Sequence, residues 1–268
     1  MKRLIESPKT RLKMIQRQIN DNILAHAPIH KSAHGFRKGR SCISHAAQHV
    51  KKQYVFVFDL AHCFPSIQWP QVYQVFRGFG YQPSVAKYLT AICTHQSYPR
   101  HELLTQLDDE QHSLLKHRHL PQGAPGSPAL SNAVLFGLDR RIRGLAGSLN
   151  LVYSRYADDM VLSGNTHRSW LFLEALVGAI CLEQGFTLNY RKSRILRPQQ
   201  KQKITGIVVN EKPNIDRRYY DRLKAILTNC VRHGLHSQNH GNHPDFRAYL
   251  LGSIQHVKSL NEAKGNKL

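Results

Sequence analysis

Acid is what this sequence has least of: 17 Asp and Glu stand against 38 Lys and Arg, for a formal net charge of +21. An ordinary metabolic enzyme has no use for such an imbalance, and a polyanion is the expected partner. Nucleic acid fits, because each neutralised phosphate releases counterions and a broad basic surface then binds without regard to sequence. A basic membrane-surface protein and plain solubility charge are the alternatives that composition leaves open. Long apolar runs are also missing. No segment approaches the roughly 18 to 20 apolar residues of a membrane span, and the charged stretch from Met1 to Thr10 lacks the apolar centre of a signal peptide. The five cysteines are scattered, odd in number and without a C-x-x-C pair. A disulfide framework is excluded on that pattern, and a reduced, cytoplasmic setting is expected. No repeat, low-complexity tract or Pro/Gly/Ser linker divides the chain, so any subdomains share one body.

Hydrophobic patterning gives an α+β order. After Pro8, Leu12, Ile15, Ile19 and Ile23 predict an amphipathic helix, followed by a basic His- and Gly-containing loop over 27–40. Tyr54 to Leu60 (YVFVFDL) reads as a buried strand. Helices are expected after Ser66 and from Pro83, with a polar excursion over 95–119. From Pro128 one helix is expected to run through Leu130, Val134, Leu138, Ile142 and Leu145 to Gly147. Leu151 to Ser163 (LVYSRYADDMVLS) predicts two strands folded over a tight turn at or beside Ala157-Asp158. A helix from Ser169 to Gln184, a strand-like Lys203–Asn210, a helix over 216–233, a His-rich loop and a last helix from Pro244 complete the order. The expected architecture is a small antiparallel sheet backed by helices.

The few acids fall in telling places. Asp59 ends the most apolar strand, and Asp158 and Asp159 sit between Val152, Tyr153 and Met160, Val161, Leu162. An ionised carboxylate in an apolar setting is costly and two adjacent ones repel, so a cation is the natural compensation. If the two strands are neighbours, the three acids converge. Hard oxygen donors with room for water and phosphate suit Mg²⁺, and two such ions are the apparatus of in-line phosphoryl displacement. Asp108-Asp109 has no apolar strand on either side and reads as a solvated turn. His233, His236, His240 and His243 invite a zinc reading, but they lie in a Gly/Asn-rich loop without a Cys pattern.

Several ordered motifs now give a resemblance. Tyr156-Ala157-Asp158-Asp159, preceded by Arg155, is similar to the Y-A-D-D motif of reverse transcriptases of the bacterial retron type. The segment from Phe58-Asp59-Leu60 to Ile67 resembles their first catalytic motif, in which the Asp and the carbonyl of the next residue, here Leu60, bind metal. Leu120 to Pro128 (LPQGAPGSP) resembles the L-P-Q-G-x-P-x-S-P motif, and Gly185 to Lys192 resembles G-x-x-x-N-x-x-K, whose lysine is held to protonate pyrophosphate. Ile204-Thr205-Gly206 is similar to the V-T-G segment that leads toward the structured RNA. Arg3, before Ile5-Glu6-Ser7-Pro8, resembles the fingers position that meets the triphosphate. His45-Ala46-Ala47-Gln48-His49 resembles N-A-x-x-H, with His in place of Asn.

The resemblance implies a right-hand polymerase: fingers and palm over 1–210, and a short helical thumb over 211–268, with fingers and thumb minimal or truncated. It implies RNA-directed DNA synthesis with two Mg²⁺ ions on Asp59, Leu60, Asp158 and Asp159, and Lys192 as the acid. Arg3, Phe64, Gln122 and Gly123 would meet the nucleotide; Phe64, five residues past Asp59, would lie under the sugar and reject a 2′-hydroxyl. Gln122 and Gly123 precede a helix N-terminus, where backbone and amide groups can meet nucleotide and template. Implied partners are an RNA template and primer, a cognate structured non-coding RNA, the cDNA product, deoxynucleoside triphosphates and an effector protein in defence against phage, with no membrane. Two competing classes are an RNA or untemplated polymerase on the same palm, and a degenerate palm that only holds RNA. Plainer readings stand beside each residue: a core ring for Phe64, surface charges for Arg3 and Lys192, an edge strand for Ile204–Asn210.

Overall fold

The computed structural model describes residues 4–98 and 107–268. Its centre is a four-stranded antiparallel sheet of β1 (Tyr54–Asp59), β2 (Val152–Tyr156), β3 (Asp159–Gly164) and β4 (Arg194–Leu196), in the order β2-β3-β1-β4. Strand periodicity sends alternate side chains to opposite faces. Phe56, Phe58 and Leu60 of the first strand and its extension, with Tyr153, Met160 and Leu162, enter the main core. Each large side chain buried there stabilises the fold by about 1.5–3 kcal/mol. Trp170 stacks over Phe58 with ring centroids 5.1 Å apart. Val55, Val57 and Val161 face the other way, into a smaller cluster with Ala46, Ile204, Ile207 and Val209.

The helices covering the main core are α1 (Thr10–Asn22), α4 (Trp69–Gly78), α5 (Pro83–Cys93), α7 (Ser127–Val134), α8 (Phe136–Ser148) and α9 (Trp170–Glu183). Short helices α2 (Cys42–Ala47), α3 (Cys63–Ser66) and α6 (Asp109–Leu115) lie between them in the chain. A two-stranded hairpin, β5 (Lys203–Ile204) and β6 (Ile207–Val208), precedes α10 (Arg217–His233), α11 (Phe246–Leu260) and α12 (Glu262–Gly265). These C-terminal helices have a core of their own around Ile215, Leu223, Leu250 and Val257.

Several expectations are corrected. In α1 Gln16 and Ile19 are buried and Ile23 just beyond it packs on the core, while Leu12 and Ile15 are exposed, so only the C-terminal half of the expected apolar stripe is covered. The helix expected from Pro128 is two, parted at the fully buried Leu135. The excursion over 95–119 contains α6, and Asp108 is its N-cap, accepting from the Gln111 N–H at 2.7 Å, rather than a free turn residue. Its other oxygen lies 3.2 Å from His62 Nε2. Lys203–Asn210 is a hairpin rather than one strand, because Thr205 (φ 44°) and Gly206 (φ 88°) both take the left-handed conformation a two-residue turn requires. The edge strand β4, three residues long beside basic side chains, has no pattern by which the sequence announces it.

Candidate active site

The site lies at one end of the central sheet and is assembled by strand register. Asp59, the last residue of β1, is paired with Asp159, the first of β3. The Leu60 N–H donates to the Asp158 carbonyl at 3.2 Å, which makes 60/158 a hydrogen-bonded pair. The 59/159 pair is therefore the non-hydrogen-bonded kind, in which opposed Cα atoms stand about 4.5 Å apart and side chains approach most closely. Two carboxyl groups thus share one face, that of Val57 and Val161, with Asp158 in the turn beside them. Ala157 occupies the left-handed region at φ 56° and Tyr156 pairs with Asp159, so the loop is only Ala157-Asp158. A non-glycine residue there is strained, and such strain persists only where the surroundings hold it.

The electrostatics follow from that crowding. Asp59 is 5% exposed. Burial, and then the charges of Asp158 and Asp59, push the Asp159 carboxyl up to about 6, against the pull of Lys192 and Arg194. Lys192 reaches the cluster: its half-exposed Nζ is 3.0 Å from Asp59 Oδ2. The loop that carries it is tied to the end of β1, since the Asn189 N–H donates to the Asp59 carbonyl at 2.7 Å and the Ala61 N–H to the Thr187 carbonyl at 2.8 Å. Among the described residues no three His, Cys, Asp or Glu side chains form a metal cage by themselves. The donor set nevertheless fits magnesium, which binds through one or two carboxylates and completes its shell with water and phosphate oxygens.

Phe64 stands in α3, half-buried, its ring edge-on to Phe36 at a centroid distance of 6.3 Å. Phe36 and Gly35 belong to the loop before α2, which the sequence marked as basic and rich in His and Gly without linking it to the acids; the structure lays it against the site. A Cβ on Gly35 would come within 2.5 Å of the Ala157 backbone nitrogen. The glycine, immediately before an aromatic residue, was the available signal. Gln122 accepts at its carbonyl from the Glu6 N–H at 2.8 Å, and Gly123 takes φ 128° with Ile5 3.1 Å from where its Cβ would be. The N-terminal segment is thereby seated on the loop that leads into α7. Glu6 is anchored by His119 Nε2 at 2.9 Å and by the Ser97 hydroxyl; burial would raise its carboxyl, but these hydrogen bonds, together with the charges of His119 and His95, hold it below its usual range. Arg3 lies outside the described residues.

Ile204, Thr205 and Gly206 belong to the β5–β6 hairpin. Its base is tied to the start of β1, where the Lys51 N–H donates to the Val209 carbonyl at 3.1 Å and Gln202 Nε2 to the Lys52 carbonyl at 3.0 Å. Ile204 packs with Val55, Val57 and Val161, on the sheet face that also carries Asp59 and Asp159. The His45–His49 segment is an interior clasp: His49 bonds both Ser163 and Ser154 Oγ at 2.7 Å, and Ser154 also meets His45 at 2.8 Å. Burial pushes the His45 imidazole down to about 3 and His49 well below its ordinary value.

Residues 1–209 match the family described as reverse transcriptase (RNA-dependent DNA polymerase). The chain belongs to the reverse transcriptase family. Within it, the similarity is to retron enzymes. It is 36% identical over 266 residues to the retron Mx65 reverse transcriptase of Myxococcus xanthus, covering 99% of this chain and 60% of that protein. It is 32% identical over 226 residues to the retron Ec86 reverse transcriptase of Escherichia coli, covering 84% of this chain and 64% of that one. The chain thus spans under two thirds of either relative. A solved foamy viral protease-reverse transcriptase in complex with RNA/DNA hybrid aligns over 72% of this chain and 21% of its own, at 18% identity and TM-score 0.41. The expected α+β arrangement, a small antiparallel sheet with helices packed on it, is the one observed. No helix of the described residues is long and apolar enough to cross a membrane.

Proposed function

We propose that the chain is the polymerase portion of a retron-type RNA-directed DNA polymerase that extends a DNA strand on a structured RNA template. The observation that carries this reading is the pairing of Asp59 with Asp159 across a strand register, with Asp158 in the adjoining turn. Like charges are gathered where a solvated alternative was available, and that arrangement is compensated by a divalent cation. Asp59, Asp158, Asp159 and the Leu60 carbonyl would hold two magnesium ions, which when bound activate an attacking 3′-hydroxyl and stabilise the departing pyrophosphate oxygen.

The protein's own side chains do the rest. Phe64 supports the sugar and excludes a 2′-hydroxyl; its edge contact with Phe36 limits where the ring can go. Gln122 and Gly123 meet the nucleotide from the loop entering α7, Arg3 grips the triphosphate, and Lys192, already beside Asp59, supplies the proton to pyrophosphate. The net charge of +21 supports RNA and cDNA as partners. Fingers and palm occupy 1–210 and the thumb 211–268, a division supported by the separate core of the C-terminal helices. The Ile204–Gly206 segment contacts the structured RNA. The resemblance also brings a cognate non-coding RNA, an effector protein and phage defence in a bacterial cytoplasm, a setting in keeping with five free cysteines.

The test is to purify the chain with its nucleic acid retained, sequence what accompanies it, and follow extension with deoxy- and ribonucleotides on RNA. Magnesium-dependent deoxynucleotide incorporation, absent in Asp158→Asn, is expected. Incorporation that survives Asp158→Asn, or that prefers ribonucleotides, would overturn the reading.

A further inference from the structure

A second charged constellation lies directly beneath the catalytic turn and the reaction as described does not use it. Arg155, in β2 and two residues before the turn, is fully buried. Its Nε and Nη2 donate to both oxygens of Asp139 in α8, at 2.8 and 2.7 Å. Nη2 also donates to Asn132 Oδ1 in α7 at 3.1 Å, and Nη1 to the carbonyl of Ala157 at 2.8 Å. Asn132 Nδ2 in turn donates to the Gly35 carbonyl at 2.9 Å. The Gly35 segment runs along the outer edge of β2: the His34 N–H donates to the Arg155 carbonyl and the Arg155 N–H to the Ser32 carbonyl, both at 2.8 Å. The strained Ala157 is therefore gripped at its carbonyl by a guanidinium and met at its nitrogen by Gly35.

We propose that Arg155 is a positioning residue of the polymerase reaction, which with Asp139, Asn132 and Gly35 fixes the Ala157-Asp158 turn so that Asp158 and Asp159 face their ions. The planar fork makes this a job for arginine: five donors in one rigid plane reach Asp139, Asn132 and Ala157 together, and a lysine ammonium cannot span them. Desolvation strengthens each bond and leaves no water to substitute for a lost one. Asn132 and Asp139 stand seven residues apart in adjoining helices, which is how both reach one guanidinium.

The proposal rests on the assignment of Asp158 and Asp159 as metal ligands, and the test separates the two. Arg155→Lys, Gly35→Ala and Asp158→Asn are compared with the parent chain for kcat, KM for deoxynucleotide, binding of Mn²⁺ as a spectroscopic probe by electron paramagnetic resonance, and melting temperature. Misplacement of reacting groups by an ångström costs about 10²-fold in rate. Arg155→Lys and Gly35→Ala are expected to lower kcat by about 10- to 10²-fold with KM within about twofold, and Mn²⁺ affinity by about tenfold, the scale of losing support behind a metal ligand. If Arg155→Lys does not fold, Gly35→Ala decides, since it leaves the ion pair intact and moves only the turn. Unchanged kcat and Mn²⁺ binding in a folded variant, with Asp158→Asn inactive, overturns the positioning role and spares the catalytic assignment. Activity and Mn²⁺ binding retained by Asp158→Asn overturns both.

Discussion

Two groups of charges, one fully buried and one partly so, sit within a few residues of each other, and they are opposites. Around Arg155 every charge has its counterpart: a carboxylate on two donors, an amide, a backbone carbonyl, and the Tyr153 hydroxyl on Asp139 at 2.7 Å. Around Asp59 and Asp159 the same-sign groups face one another, with a half-exposed lysine 3.0 Å from Asp59 and the charge of Arg194 acting on Asp159. The first constellation is complete within the chain. The second gathers like charge, which a bound cation would offset, and on the proposed reading that contrast separates a structural charge pair from a reactive one.

The contrast can be broken most severely at the reactive end. Replacing Asp59 or Asp158 by Asn is expected to lower extension by about 10³-fold or more, the upper range for removing one charge-stabilising group from a transition state. Melting temperature should not fall, because a mutual repulsion is being relieved. Steady-state extension and calorimetry on the same preparations check both halves. At the structural end the signs reverse. Asp139→Ala leaves a buried guanidinium unpaired and should cost about 3–5 kcal/mol of folding stability, measured by urea unfolding.

Phe64→Ala tests the sugar contact. It should narrow the preference for deoxy- over ribonucleotides by about 10- to 200-fold, the span that shape alone discriminates, read from the two kcat/KM values. An unaltered ratio would return Phe64 to a purely packing role.

The smallest effect is a matter of pH. A carboxyl that titrates at about 6 in the folded chain and 3.8 otherwise contributes stability that is present below 3.8 and lost as pH rises through about 6. Asp159→Asn should therefore melt on the order of a few degrees higher than the parent above pH 7, with the gap closing toward pH 4. The buried imidazoles of His34, at about 4, and His45, at about 3, run the other way, losing stability as pH falls from 6.5 through those values. They are common to both proteins and cancel in the difference. A gap that does not change with pH would mean that Asp159 carries no special charge burden.

Much of this was legible before any coordinates. The strand YVFVFDL, the hairpin on either side of Ala157-Asp158 and the helices opened by Pro83 and stopped before Gly185 are short-range patterns, in which neighbours along the chain dictate the conformation. Other features were hidden because their cause is remote in sequence. Leu12 and Ile15 repeat with helical spacing, yet which face of α1 is buried depends on what packs there. The loop holding Gly35 and Phe36 read only as a basic, His- and Gly-containing stretch, and its bonds to Arg155 join residues more than a hundred positions apart.

By itself the sequence determined most of the elements and their order, and that a very basic chain keeps three of its rare acids among apolar strand residues. Tertiary structure alone decided that Asp59 stands opposite Asp159, that Arg155 meets Asp139 and Asn132, and that the β5–β6 hairpin packs on the valine face of the sheet. The physical reason is register. A strand's own pattern says which side chains share a face, whereas which residue faces which across the ladder is fixed by packing between segments that the chain brings together only on folding.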